Sequence, residues 1–138
     1  MAAMSELIRT EQNDTISFGD YTLNEKAKQD NYEFLGDVYK VKTFREITKL
    51  ERNGLFVYES VPGTAVSHFG QTAEVVTFVV EGTEDAQITL ELAEETEYEI
   101  TLNDKSAGVM KTNLGGKLSF SVELGGTEQV SVKVERKS

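Results

Sequence analysis

The chain contains no cysteine and no tryptophan, a single proline and a single histidine. Without cysteine there is no disulfide, no thiolate metal site and no cysteine nucleophile, and the composition suits a reducing cytosol. One histidine cannot build an ordinary zinc site. Basic residues are also scarce: 14 Lys and Arg against 24 Asp and Glu leave a formal net charge of −10. Nucleic acid and anionic membrane both reward clustered Lys and Arg, so neither is an expected partner. No stretch approaches ~18 apolar residues, and Met1-Ala2-Ala3-Met4-Ser5-Glu6-Leu7-Ile8-Arg9 lacks a basic segment followed by an apolar core. The expectation is a cytoplasmic protein with one domain over residues 1–138, a length that buries a core without staples.

What the chain has instead is alternation. Ile88, Leu90 and Leu92 alternate with Thr89 and Glu91, and Tyr98, Ile100 and Leu102 with Glu99 and Thr101. Leu118, Phe120, Val122 and Leu124 do the same, as do Val130, Val132 and Val134. A period of two buries one strand face and wets the other. Asn103-Asp104, Gly115-Gly116 and Gly125-Gly126 separate these runs, which together predict an antiparallel sheet with one dry side.

Upstream, Thr15 to Leu23 reads as strand, turn at Gly19-Asp20, and strand, whereas Asn24 to Asn31 is polar enough for a turn or two of helix without an apolar stripe. Tyr32–Leu35 and Val38–Thr43 flank a hairpin signal at Gly36-Asp37. Strand resumes from about Ile47, because Asn53-Gly54 follows and Leu55 to Tyr58 continues beyond this hairpin cue. Pro62-Gly63 suits a type II turn, and Val75 to Glu81, apolar on both parities, predicts a central strand covered on both faces. With roughly ten strands and turn chemistry between them, the fold class is an all-β, antiparallel two-layer sandwich, immunoglobulin-like or jelly-roll-like. Residues 1–71 and 72–138 are possible sub-units, a hairpin-rich half and an immunoglobulin-like half.

Charge is segregated along the chain. No basic residue occurs between Arg52 and Lys105, an interval that holds Glu59, Glu74, Glu81, Glu84, Asp85, Glu91, Glu94, Glu95, Glu97, Glu99 and Asp104. Lys40, Lys42, Arg45, Lys49 and Arg52 precede it. Such a pattern keeps a protein soluble, and it also allows the two patches to meet, within one molecule or head-to-tail between molecules. Glu97 and Glu99 would share one wetted face and repel each other unless a cation or a basic strand lies alongside.

The run Leu92-Ala93-Glu94-Glu95-Thr96-Glu97-Tyr98-Glu99-Ile100-Thr101-Leu102 resembles the corner before strand F of fibronectin type III and related immunoglobulin-like domains, a similarity extending from Ala73 to Arg136. The resemblance implies an accessory sandwich in which the Tyr98 hydroxyl bonds back to nearby backbone. Separately, Gly36-Asp37-Val38-Tyr39-Lys40-Val41-Lys42-Thr43 and Tyr58-Glu59-Ser60-Val61-Pro62-Gly63-Thr64 resemble small proteins of anaerobic Gram-positive bacteria that sometimes carry the label endosialidase. The Asp-box repeats and arginine triad of propeller sialidases are not present.

No catalytic constellation stands out. His68 has Ser67 as its neighbour, which on a strand points to the opposite face, so no triad follows. Acidic side chains are abundant enough for a glycosidase pair, or for calcium at Glu84, Asp85, Glu94, Glu95 and Asp104, but no Asp-rich calcium loop is present and no metal is expected. Gly115-Gly116-Lys117 lacks the spacing of a phosphate loop, and no motif calls for a cofactor. Tyr21, Tyr32, Tyr39 and Tyr58 could present planes to sugar, Tyr39 foremost, since Val38 and Val41 compete with it for the inward face. The leading expectation is a non-enzymatic module that associates with itself or with other subunits through Tyr39, Lys40, Lys42, Arg45, Glu94, Glu95, Glu97 and Glu99, aided by open edges at Leu7-Ile8 and Val130–Val134. A carbohydrate-binding accessory module with a polysaccharide partner is the alternative, and a small glycan hydrolase the third reading.

Overall fold

The computed structural model describes residues 7–125 and 129–137, and every regular element among them is a β-strand. In chain order these are β1 (Ile8–Glu11), β2 (Thr15–Phe18), β3 (Ala27–Phe34), β4 (Asp37–Phe44), β5 (Ile47–Arg52), β6 (Leu55–Val61), β7 (Ala65–Gln71), β8 (Val75–Glu81), β9 (Ala86–Glu91), β10 (Glu97–Leu102), β11 (Lys105–Lys111), β12 (Lys117–Val122) and β13 (Val130–Arg136). One sheet has seven strands in the order β1-β2-β7-β8-β13-β10-β11, the other six in the order β12-β9-β6-β5-β4-β3. All pairings are antiparallel, so within each sheet odd strands run one way and even strands the other. Strands from before and after residue 72 are neighbours in both sheets and feed one core.

The layers meet through rings. Tyr58 of the six-stranded sheet inserts among Phe18, Phe69 and Phe78 of its partner, with centroids 5.3, 6.5 and 5.7 Å away. Burying each large apolar side chain stabilises by ~1.5–3 kcal/mol, whereas an exposed ion pair contributes ~0–1. The ion pairs Arg9–Glu11 and Lys133–Glu135 each have a well-exposed member, and both side chains of Lys49–Glu51 are about one-third exposed, so the core holds the fold.

Beneath these rings the hydroxyls form a closed network. Thr48 Oγ1 accepts the Thr64 N–H at 3.0 Å, donates to the Thr64 carbonyl at 2.8 Å and lies 2.8 Å from Thr43 Oγ1. Thr64 Oγ1 meets Tyr58 Oη at 2.8 Å and Ser60 Oγ at 2.7 Å, and Thr43 Oγ1 accepts the Asp20 N–H. Burial raises the Tyr58 phenol far above its ordinary value, which keeps it a neutral hydroxyl here. No buried side-chain polar atom among the described residues lacks a partner.

Several expectations are corrected. The four C-terminal runs do not share one sheet: β9 pairs with β12 (Ile88 opposite Phe120), and β10 with β13 (Ile100 opposite Val134). Alternation determines which face is dry, not which sheet a strand joins. Val130–Val134 is no edge, because β13 lies between β8 and β10. β8 is central, as expected, but Thr77 is exposed and only Val76, Phe78 and Val80 are buried, so its outer face is wet. Tyr21 to Leu23 is not strand; Gly19 at φ +95° and the Asp20 carboxylate, which accepts the Thr22 N–H, turn the chain away. Asn24 to Asn31 holds no helix and instead enters β3. Gly63 has no positive φ, so Pro62-Gly63 is not a type II turn; glycine is needed because a Cβ would sit 1.9 Å from the Phe44 carbonyl oxygen. Asn53 and Gly54, at φ 53° and 80°, do make the expected tight hairpin, and the Ala93 N–H donates to Tyr98 Oη at 3.1 Å, pinning the corner. The Gly125-Gly126 turn extends outside the described residues.

Candidate interaction surfaces

Tyr39 is not a surface ring. It is 6% exposed and packs edge-to-face on Phe34 at 6.1 Å, while Val38 is 41% exposed. The reason is parity: Tyr39, Val41 and Thr43 point inward together, which sends Lys40 and Lys42 out. Tyr58 and Tyr98 are buried as well, and Tyr21 and Tyr32 are half-buried, so no fully exposed tyrosine offers a plane to a sugar ring. The Tyr21 hydroxyl donates to Glu81 at 2.9 Å; burial first, then that carboxylate, pushes its pKa up.

The outer face of the six-stranded sheet carries a row of lysines. Lys28 on β3 lies opposite Lys42 on β4, which lies opposite Lys49 on β5. Lys49 reaches Glu51 at 3.7 Å, but Lys28, Lys40 and Lys42 form no ion pair among the described residues. Like charges directly opposite cost ~0.2–1 kcal/mol per pair, so this row is maintained against a small penalty. Lys28 escapes a sequence reading because β3 is an edge strand that buries little; the bulge between Gln29 and Tyr32, with Asn31 at φ 60°, breaks its alternation.

The acidic residues are placed elsewhere. Glu97 and Glu99 lie on the outer face of the seven-stranded sheet, where Lys111 stands opposite Glu97 and Lys137 reaches Glu99 at 3.4 Å. The basic neighbour required by two adjacent glutamates therefore comes from β11 and the C-terminal segment, not from β4 or β5. The Ser106 hydroxyl, then Lys137, holds the Glu99 carboxyl below the usual range. Glu94 and Glu95 are exposed on the β9–β10 corner and form no ion pair among the described residues. Arg45 sits on the β4–β5 turn, at the opposite end of the sandwich: its N–H donates to the Leu23 carbonyl and its carbonyl accepts Gly63 N–H. The basic and acidic residues anticipated as a contact surface thus do not meet within one molecule.

Edges differ in their cover. β1 is an edge, as expected at Leu7-Ile8, but it leans on β3: the Leu7 N–H donates to Gln29 Oε1 at 3.2 Å, and Thr10 Oγ1 lies 2.6 Å from Tyr32 Oη. β11 is an edge exposed along its whole length, with Val109 53% and Met110 39% accessible. Its polar flanks and the glycine at 108 conceal it in the sequence.

His68 lies at a bulge in β7 with φ 56°, which puts it and Ser67 along the same outer groove of about 370 Å³, with Arg9 and Glu81 also at its wall. The expectation of opposite faces fails because a bulge resets the alternation. The imidazole makes no hydrogen bond among the described residues. Nearby, Ser17 Oγ donates to Glu11 at 2.7 Å, and this bond, then Arg9, lowers the Glu11 pKa. Among the described residues no three acidic or histidine side chains converge to hold a metal ion; Asp85 instead accepts the Leu124 and Gly125 N–H groups.

A second opening lies between the sheets at the end bearing the β5–β6, β7–β8 and β9–β10 connections. It encloses about 400 Å³ and is lined by Leu55, Phe56, Val57, Val75, Val76 and Leu92, with Arg52 and Arg136 as its cationic side chains and Glu91 as its acid. No protein-family model, curated protein or solved structure matches the chain.

Proposed function

We propose that this protein is a non-enzymatic association module that binds further copies of itself head-to-tail, through electrostatic complementarity. The observation that carries the reading is the separation of unpaired charge: Lys28, Lys40 and Lys42 on the outer face of one sheet, Glu94 and Glu95 on a corner leading into the other. Neither group can neutralise the other within a molecule. Between molecules they can, and a contact joining two different patches repeats to a ring or a filament. Complementary patches also speed encounter and repel like faces.

Sedimentation or light scattering across a salt series tests this. At low ionic strength the mass should rise with protein concentration, and ~0.5 M salt, where screening acts within a few ångströms, should return it to one chain. The double variant Lys40→Glu, Lys42→Glu should stay monomeric alone and pair with a Glu94→Lys, Glu95→Lys chain when the two are mixed. A single-chain mass at every concentration and ionic strength would remove the proposal.

A further inference from the structure

We infer that the end cleft is a binding site for an amphipathic organic carboxylate, with Arg52 receiving the carboxylate and the apolar walls receiving the body of the ligand. Arg52 closes β5 and is half-buried, yet its only partner among the described residues is neutral, the Gln71 side-chain oxygen at 3.3 Å. A guanidinium offers five N–H donors in a planar fork suited to a carboxylate, and here most of them are unused. Holding a cation part-way out of water without an anion is costly, so the geometry favours arrival of one.

The surrounding chemistry narrows the class of ligand. Val57 and Val76 are buried at the cleft's floor, and Leu55 at its rim is 67% exposed. That combination of concave apolar wall and a few polar groups is the usual form of a small-molecule site. Glu91, the acid within the cleft, is directed to Lys117 at 4.0 Å, and Asp14 and Asp37 line a separate cavity beyond Arg52 without reaching ion-pair distance. A dicarboxylate or a polyanion would meet Glu91; a single carboxylate on an apolar body would not. Arg52 continues the inward parity of Thr48 and Leu50 to the end of β5, and the register slip between Leu50 and Glu51, which leaves Val57 of β6 as the extra residue, sets Leu55 opposite it at this mouth.

Titration of the full chain with sodium octanoate, followed by amide and methyl NMR, tests the site. Saturable shifts should appear at Leu55, Val57, Val75 and Leu92 and at the Arg52 side chain. Octanamide, with the same chain and no charge, should bind about tenfold more weakly, the loss expected for one charge-assisted hydrogen bond. Arg52→Gln, which retains a donor for Gln71, should weaken octanoate by a similar factor. Equal binding of octanoate and octanamide to the unaltered protein would overturn the inference without any variant having to fold; so would shifts confined to the outer sheet faces, or no saturable shift.

Discussion

Thr48 shows how much depends on single polar atoms in this core. Its hydroxyl serves Thr64 twice and Thr43 once, all within a fully buried site. Thr48→Val keeps the shape and removes the hydroxyl, stranding the Thr64 N–H and carbonyl; each orphaned buried group costs ~1–3 kcal/mol, so urea denaturation should show a loss of about 3 kcal/mol. None of this was legible beforehand, since Thr43, Thr48, Ser60 and Thr64 look like ordinary strand and turn residues and only the packing brings them together. Tyr98 was anticipated only through the resemblance of its corner to the one before strand F of immunoglobulin-like domains, which implies a bond from its hydroxyl back to nearby backbone; here that hydroxyl accepts the Ala93 N–H. Tyr39 was not legible, because Val38 and Val41 straddle it and sequence offers no reason to choose between their parities.

At the scale of elements, legibility followed burial. Strands with buried alternating residues, such as β9, β10, β12 and β13, were visible; of β3 and β11, which bury little, only the end of β3 from Tyr32 was read as strand. β11 has a consequence of its own. The Thr112 N–H donates to the Thr96 carbonyl at 3.0 Å, and N–H groups alternate sides along a strand, so Met110 also faces β10 while Val109 and Lys111 face outward. Amide hydrogen exchange of the monomer at high salt should therefore alternate, with Met110 and Thr112 protected and Val109 and Lys111 exchanging at the rate of free chain. Uniform protection along 109–112 would mean that this edge is paired by another strand.

For the whole molecule, pattern predicts layering but not order. Two dry-faced sheets were foreseeable from period-two runs; the assignment of the four C-terminal runs, β9, β10, β12 and β13, to alternate sheets was not, and with it went the placement of the charged residues on separate faces. Pairing crosses residue 72 in both sheets, β7 with β8 and β6 with β9, and β13 lies between β8 and β10. A chain ending at Gly125 should consequently fail to fold rather than yield a smaller domain, with collapsed amide dispersion in its NMR spectrum; a well-dispersed spectrum would show that β8 and β10 can close without β13. The same wedge has a meaning during synthesis. β13 is the last described strand to leave the ribosome and the one that joins two flanks already made, so the nascent chain exposes two adhesive seams until it emerges, and that interval is when aggregation competes most strongly with folding.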